Sequence, residues 1–254
     1  MSERFRAFSF VDRITHCAGG RIEGQYTVPA HATRFPASLM AEAVGQLAAW
    51  SAMSTLGFAW RPVAGLAAET RYHRIAEPGQ TLRLEADIAR CDAEAVAYSG
   101  RAYLDGDCAL ELIDCVGPML PMGDFDDPSV VHADFDTLRS TGAAADRFGG
   151  VPVPQIDVLE HTVGERLRAR LQVPDSDAAP YFADHFPRRP VFPATLLLDR
   201  LIQLALALAG SAPYWPAGAR VRPARMTHVK VRSFMPPGSV LELSAEMTPT
   251  AAAA

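Results

Sequence analysis

"HFPRRPVFPATLLLDR", His185 to Arg200, sets a histidine and an aspartate on either side of three prolines and an apolar run. Neither polar residue helps to build a core, so each needs another reason to be there. A second stretch, "RFPASLMAEAVGQLA" from Arg34, reads as an altered copy of the first. Phe35–Ala48 aligns on Phe192–Ala205 at an offset of 157 residues, which puts Glu42 on Asp199 and Gln46 on Gln203. Upstream, Val11–Pro29 aligns on Ile156–Pro174 at an offset of 145, so the second copy carries 12 extra residues, among them His185. Downstream, Pro78-Gly79 aligns on Pro237-Gly238, a turn dipeptide between two alternating runs. The chain is two homologous modules in tandem.

Each module reads as a short strand, a loop, one long helix and a run of alternating strands, carried in the first module by "LRLEADIARC", "AVAYSGRAYLDG" and "CALELIDCVGPM". That pattern is α+β with an antiparallel sheet. The helices from Ala37 and Ala194 are apolar on nearly every face, which predicts that sheet wraps each of them, and Pro36 and Pro193 set their starts. The expected organisation is a first module over residues 1–122, a surface linker without sustained periodicity over 123–150, and a second module over 151–254. After Gly79 the first module has 43 residues up to Met122, but only 16 follow Gly238, ending in "TPTAAAA". A sheet edge left open over a buried helix predicts a native chain longer by roughly 25 to 40 residues.

Composition narrows the function. The 254 residues are 49% hydrophobic with a net charge of -5, and they hold no Lys/Arg block to track a phosphate backbone, so nucleic acid is not an expected partner. Cys17, Cys91, Cys108 and Cys115 lack CxxC spacing, which argues against a zinc knuckle or disulfide framework and fits mostly buried thiols in a reducing cytoplasm. "MSERFRAFSF" is no signal peptide, and the apolar run Leu201–Gly210 is too short to span a bilayer. No metal, cofactor or membrane is expected.

The pattern "HFPxRPVxPxxLxLDxxxQLA" resembles the 3-hydroxyacyl-ACP dehydratases of the FabA/FabZ family. "FSFVDRI" looks like that family's opening strand, and "EPGQTLRLEADI" and "MPPGSVLELSAEM" look like its third and fourth. The resemblance implies a double hotdog, two antiparallel sheets each wrapped around one central helix. It makes His185 the catalytic histidine, with Val191 in a supporting position. Glu42 and Asp199 fall on the catalytic carboxylate position, followed by Gln46 and Gln203. Two positions depart from the pattern: Arg188 stands where glycine follows "HFP", and Ala194 where glycine opens the helix.

The implied reaction removes water from a 3-hydroxyacyl thioester. It needs a base for the C2 proton, an acid for the departing C3 hydroxyl, and donors for charge on the thioester oxygen. Histidine titrates near neutrality, a carboxyl in an apolar cavity stays protonated, and the N–H groups of Ala194 and Thr195 at a helix start suit an oxyanion. Family sites lie between two modules, which implies that His185 pairs with Glu42. The reciprocal site would need a histidine from the shortened loop, where only His31 is available, so Asp199 falls in a degenerate site.

Other readings stand beside these. Glu42 could be a structural buried acid, Asp199 a local ion-pair partner of Arg200, and the apolar helices core without any ligand. His16 and His161 suit turn or packing roles. Arg188, Arg189 and Arg200 suit docking of an acidic carrier, or a solvated rim. The expected substrate is a thioester of acyl carrier protein or CoA, with a homodimer or a synthase complex as possible assemblies. The alternatives to a dehydratase are a hotdog thioesterase and a non-catalytic acyl-ACP-binding subunit.

Overall fold

The computed structural model describes residues 7–144, 154–213, 215–216 and 219–248. Gly19 and Gly20, at φ 61° and 77°, form the two-residue loop of a hairpin between β1 (Arg13–Ala18) and β2 (Arg21–Thr27). Paired positive φ angles match the right-handed twist of the flanking strands and favour glycine. This corrects the expectation of one opening strand at "FSFVDRI" followed by a loop. Phe8, Phe10 and Val11 lie ahead of β1 and are buried in the core.

The chain then enters α1 (Ala37–Thr55), with Pro36 as its N-cap at φ -58°. β3 (Trp60–Pro62), β4 (Leu66–Tyr72), β5 (Thr81–Cys91), β6 (Ala95–Leu104) and β7 (Asp107–Pro121) follow. The sheet runs β1-β2-β5-β6-β7-β4, with β3 also paired to β7. It wraps α1, whose Leu39, Met40, Val44 and Leu47 are fully buried. Two glycines allow that approach: a Cβ on Gly100 would meet the Val44 side chain at 2.5 Å, and one on Gly24 the Leu47 side chain at 2.9 Å.

The segment read as an unstructured linker contains α2 (Pro128–Arg139). Asp127 caps it by accepting from the Ser129 N–H at 2.9 Å, with Pro128 in the first turn. Val131, Phe135 and Leu138 form its buried stripe, packed on α1 and β1. Helical spacing, not surface solvation, decides this segment.

The second module supplies β8 (Ile156–Thr162), β9 (Arg166–Gln172), the short α3 (Tyr181–Asp184), α4 (Ala194–Ser211), β10 (Arg225–Lys230) and β11 (Val240–Glu246). β11, β9 and β8 make a three-stranded sheet, while β10 leaves it to pair with β4 of the first module. The turns at Pro78-Gly79 and Pro237-Gly238 are repeat equivalents, and β4 and β10 are the strands ahead of them. Their pairing is symmetric: Arg225↔Arg71 and Lys230↔Leu66 exchange when the copies are swapped. The modules thus meet about a local two-fold axis, as two subunits would in an isologous dimer. The architecture is a double hotdog, with one buried cluster drawing on both modules.

Wrapping of α4 differs from expectation. Leu196, Ile202, Leu204 and Leu208 are buried, but much of the helix is only half-covered. Among the described residues its own sheet has three strands, without counterparts of β6 and β7. Residues 249–254, including the alanine run, lie outside the described residues. By length and composition α4 could cross a membrane, which corrects the shorter apolar run read from sequence; it packs on α1, β9 and β11 with 28% of its residues buried. Of the four free thiols only Cys115 is buried, the others being half-buried.

Candidate active site

Two chain segments from different modules converge on one cavity. His185 ends α3, its N–H bonded to the Tyr181 carbonyl at 2.7 Å. Glu42 lies in the second turn of α1. Both line a cavity of about 530 Å³, together with Gln46, Val191, Ala194 and Thr195. That volume falls within the range of small-molecule sites. Apolar walls run along α1 through Ala49, Trp50 and Met53, and along α4 through Leu197, Leu198 and Leu201.

Glu42 is held at both oxygens. Gln46 Nε2 donates to Oε1 at 2.9 Å, and the Thr195 hydroxyl donates to Oε2 at 2.9 Å, so a residue of α4 orients the acid on α1. Burial raises the Glu42 pKa, against the opposing pull of these two hydrogen bonds and of the Arg61 charge. Gln46 is itself fixed, donating to the Phe8 carbonyl at 3.2 Å and accepting from the Phe10 N–H at 2.8 Å. Asp184, beside His185, accepts from the Phe8 N–H at 2.8 Å. One relay of hydrogen bonds therefore links the histidine loop, the N-terminal segment and the carboxyl.

His185 packs between rings, with Phe186 stacked at 4.0 Å and Phe8 edge-on at 5.0 Å. Burial, and secondly the Arg61 charge, lower its pKa to about 3, so the ring is neutral at pH 7. Nδ1 lies 3.5 Å from the Val191 carbonyl, a long contact that favours the proton on Nδ1 and leaves Nε2 as the basic atom. Ala194 and Thr195 open α4, where first-turn N–H groups have no intrahelical acceptor. A neutral base, an acid whose pKa burial raises, and oriented donors therefore border one space. Burial holds the Cys115 thiol up at about 11 and raises the Tyr98 phenol well above its usual range, so neither is an ionised nucleophile there.

The other expected residues lie elsewhere. Asp199 is buried and does not line this cavity. It pairs with Arg200, its sequence neighbour, and with Arg34 Nη2 at 2.5 Å. His31 is exposed on the turn after Pro29, and Gln203 is half-buried on α4. Of the three arginines read as a docking surface or solvated rim, Arg188 and Arg189 are exposed and Arg200 is largely covered. Arg200 is 13% exposed against Asp199, and Arg188 is occupied with the segment before α2, its Nη2 donating to Asp127 at 3.0 Å. Arg189 lies over the Phe234 ring at 4.5 Å. Among the described residues, His73, Cys108 and Glu111 offer ligand atoms within 4.8 Å of one another. Arg71 and Arg101 also pair with Glu111, and their charges oppose a cation there.

Sequence reasoning missed Arg61. It lines the cavity from β3, lies 4.7 Å over the Phe186 ring, and reaches Asp126 at 4.0 Å. Its only local signal is a charge inside the apolar run "FAWRPVAG".

A family model described as ApeI-like, ApeI dehydratase, matches residues 160–254. The 3-hydroxyacyl-[acyl-carrier-protein] dehydratase FabZ of Oenococcus oeni is 34% identical over 101 residues, 37% of this chain and 66% of that enzyme. In sequence, the second module is thus similar to dehydratases of the FabZ kind. The match thus spans just under two thirds of that relative's length. Across both modules, the solved structure of a putative oleoyl thioesterase from Lactobacillus plantarum superimposes with a TM-score of 0.53 at 10% identity, covering 92% of this chain and 86% of that one. At that identity the likeness extends to the double-hotdog fold alone.

Proposed function

We propose that this chain dehydrates 3-hydroxyacyl thioesters to 2-enoyl thioesters, with His185 as base and Glu42 as acid. The carrying observation is that a half-buried imidazole held neutral and a half-buried carboxyl with raised pKa face one cavity from different modules. Nε2 of His185 takes a proton from C2, charge builds on the thioester oxygen, and the N–H groups of Ala194 and Thr195 receive it. The C2–H electrons form the new double bond, the C3–O bond breaks, and Glu42 protonates the hydroxyl, which leaves as water. The pair ends as imidazolium and carboxylate, each stabilising the other's charge although neither is favoured alone in that cavity. Proton return from His185 to Glu42 restores the start.

Val191, Gln46 and the Thr195 hydroxyl hold the pair in position, and Asp199 with His31 marks a second site without this chemistry. The apolar walls suit an acyl chain carried by acyl carrier protein or CoA. The four free thiols support a reducing, cytoplasmic setting. A first module over residues 1–122, a linker over 123–150 and a second module over 151–254, with assembly as a homodimer or within a synthase, belong to the same reading.

The test is incubation with 3-hydroxyacyl and 2-enoyl thioesters, following enoyl absorbance and free thiol separately. Enoyl change without thiol release is expected. Thiol release would make the chain a thioesterase, and no change in either signal would make it an acyl-binding subunit.

A further inference from the structure

Beside His185, Phe186 has φ 62°, a left-handed backbone conformation that is rare for an aromatic residue and persists only where its surroundings enforce it. Those surroundings come largely from the segment between the modules. The Phe125 ring lies 4.9 Å from the Phe186 ring and is fully buried. Phe125, Phe186, Val63 and Val191 form a small apolar cluster separate from the main core. Arg61 lies over the Phe186 ring and pairs with Asp126 of the same segment.

Arg188 then fastens the loop to that segment. Its backbone N–H donates to the Phe125 carbonyl at 2.9 Å. Its guanidinium donates to the Gly123 carbonyl at 3.2 Å, the Asp126 carbonyl at 3.0 Å and the Asp127 carboxylate at 3.0 Å. An isolated surface ion pair is worth little. A planar fork engaging two carbonyls and a carboxylate fixes geometry in a way a single charge cannot.

We propose that Gly123–Asp127, gripped by Arg188, is the seat that holds Phe186 in its left-handed conformation and so aims His185 into the cavity. Arg188 is a positioning residue in this arrangement. Without the grip, Phe186 relaxes toward ordinary backbone angles and the adjoining imidazole turns toward water. Other charged or titratable groups border the cavity that His185 faces. Glu42 comes from α1, Arg61 from β3, Asp126 from the seat and Asp134 from α2. Tyr98 comes from β6, Cys115 from β7, Asp184 from its own loop, and Lys230 and Arg232 from β10 and the turn after it. All of these remain in an Arg188 variant.

The activity arm of the test rests on His185 being the base; the titration arm does not. In Arg188→Ala, NMR of the His185 ring should show titration moving up from its depressed value toward about 6.5, while the thermal midpoint stays near wild type. Turnover of a 3-hydroxyacyl thioester should fall roughly ten- to a hundred-fold in kcat with KM little changed. Arg188→Lys keeps the charge and loses the fork, so it should not rescue. Asp127→Asn, which can still cap α2, should give a smaller shift in the same direction. An unchanged His185 titration in Arg188→Ala would overturn the seat, as would full rescue by lysine. If the wild-type protein turns over no hydroxyacyl thioester, the functional reading fails while the His185 titration still decides the seat.

Discussion

Glu42 and Asp199 occupy equivalent places on equivalent helices and differ in what surrounds them. Glu42 has neutral hydrogen-bond partners in a buried setting, which favours the protonated form. Asp199 has two guanidinium partners. His185→Ala and Glu42→Gln should each lower kcat at least a hundred-fold without unfolding the protein, and the double variant should be no worse than either single one. Additive losses in steady-state kinetics would mean that the two do not act as a pair. Asp199→Asn should act on stability. It leaves Arg200, 13% exposed, without its countercharge, for a loss of about 3 kcal/mol in urea unfolding, with activity kept while the chain is folded.

The histidine also carries a stability signature. His185 titrates at about 3 when folded, against an ordinary value of about 6.5 in the unfolded chain. Between these values the unfolded chain binds a proton that the folded one refuses, so stability falls as pH drops below about 6.5 toward 3. Glu42 works in the opposite sense, its raised value removing stability as pH climbs above the ordinary carboxyl range. The urea midpoint of His185→Gln should therefore drop less than that of wild type between about pH 7 and pH 5. Equal drops in the two proteins would contradict a buried neutral imidazole.

At the scale of elements, α2 packs the segment between the modules onto α1, the helix that carries Glu42. Phe135 stacks on Trp50 of α1 with ring centroids 6.1 Å apart and approaches Phe58 at 5.5 Å. Phe135→Ala should cost about 3 kcal/mol in urea unfolding, as expected for a packed aromatic, and a loss below about 1 kcal/mol would mean that α2 is only loosely attached. The helix was legible in principle from Asp127-Pro128 and from Val131, Phe135 and Leu138 at helical spacing. Acidic residues around that stripe hid it. The Gly19-Gly20 hairpin was likewise present in the sequence as a turn dipeptide, obscured by the weak alternation of β1. The long helices and the strands after each Pro-Gly turn followed from the repeat, because a duplicated pattern fixes equivalent places, whereas the meeting of His185 with Glu42 was an expectation from the family resemblance alone. Arg61 and the grip of Arg188 could not be read that way. Their partners lie far away in sequence, and nothing periodic marks them.

For the whole molecule, the backbone is two-fold symmetric where the modules meet, and the chemistry is not. Pairing of β4 with β10 relates the modules about an axis, and Thr195 and Ser38 hold equivalent places at the starts of α4 and α1. The Thr195 hydroxyl meets Glu42, whereas the Ser38 hydroxyl is buried without a hydrogen-bond partner. The loop that would carry a second histidine is 12 residues shorter, and Arg34, in that loop, reaches the carboxylate instead. A guanidinium occupies Asp199 and cannot accept a C2 proton, so the paired modules should hold one working site per chain. A 2-alkynoyl thioester, whose activated triple bond adds to a nucleophilic imidazole, can count the sites. Intact-mass measurement after saturation should show one adduct per chain, peptide mapping should put it on His185, and His185→Ala should remain unlabelled. Two adducts, or labelling of His31, would mean that the Asp199 side of the molecule has kept a reactive base.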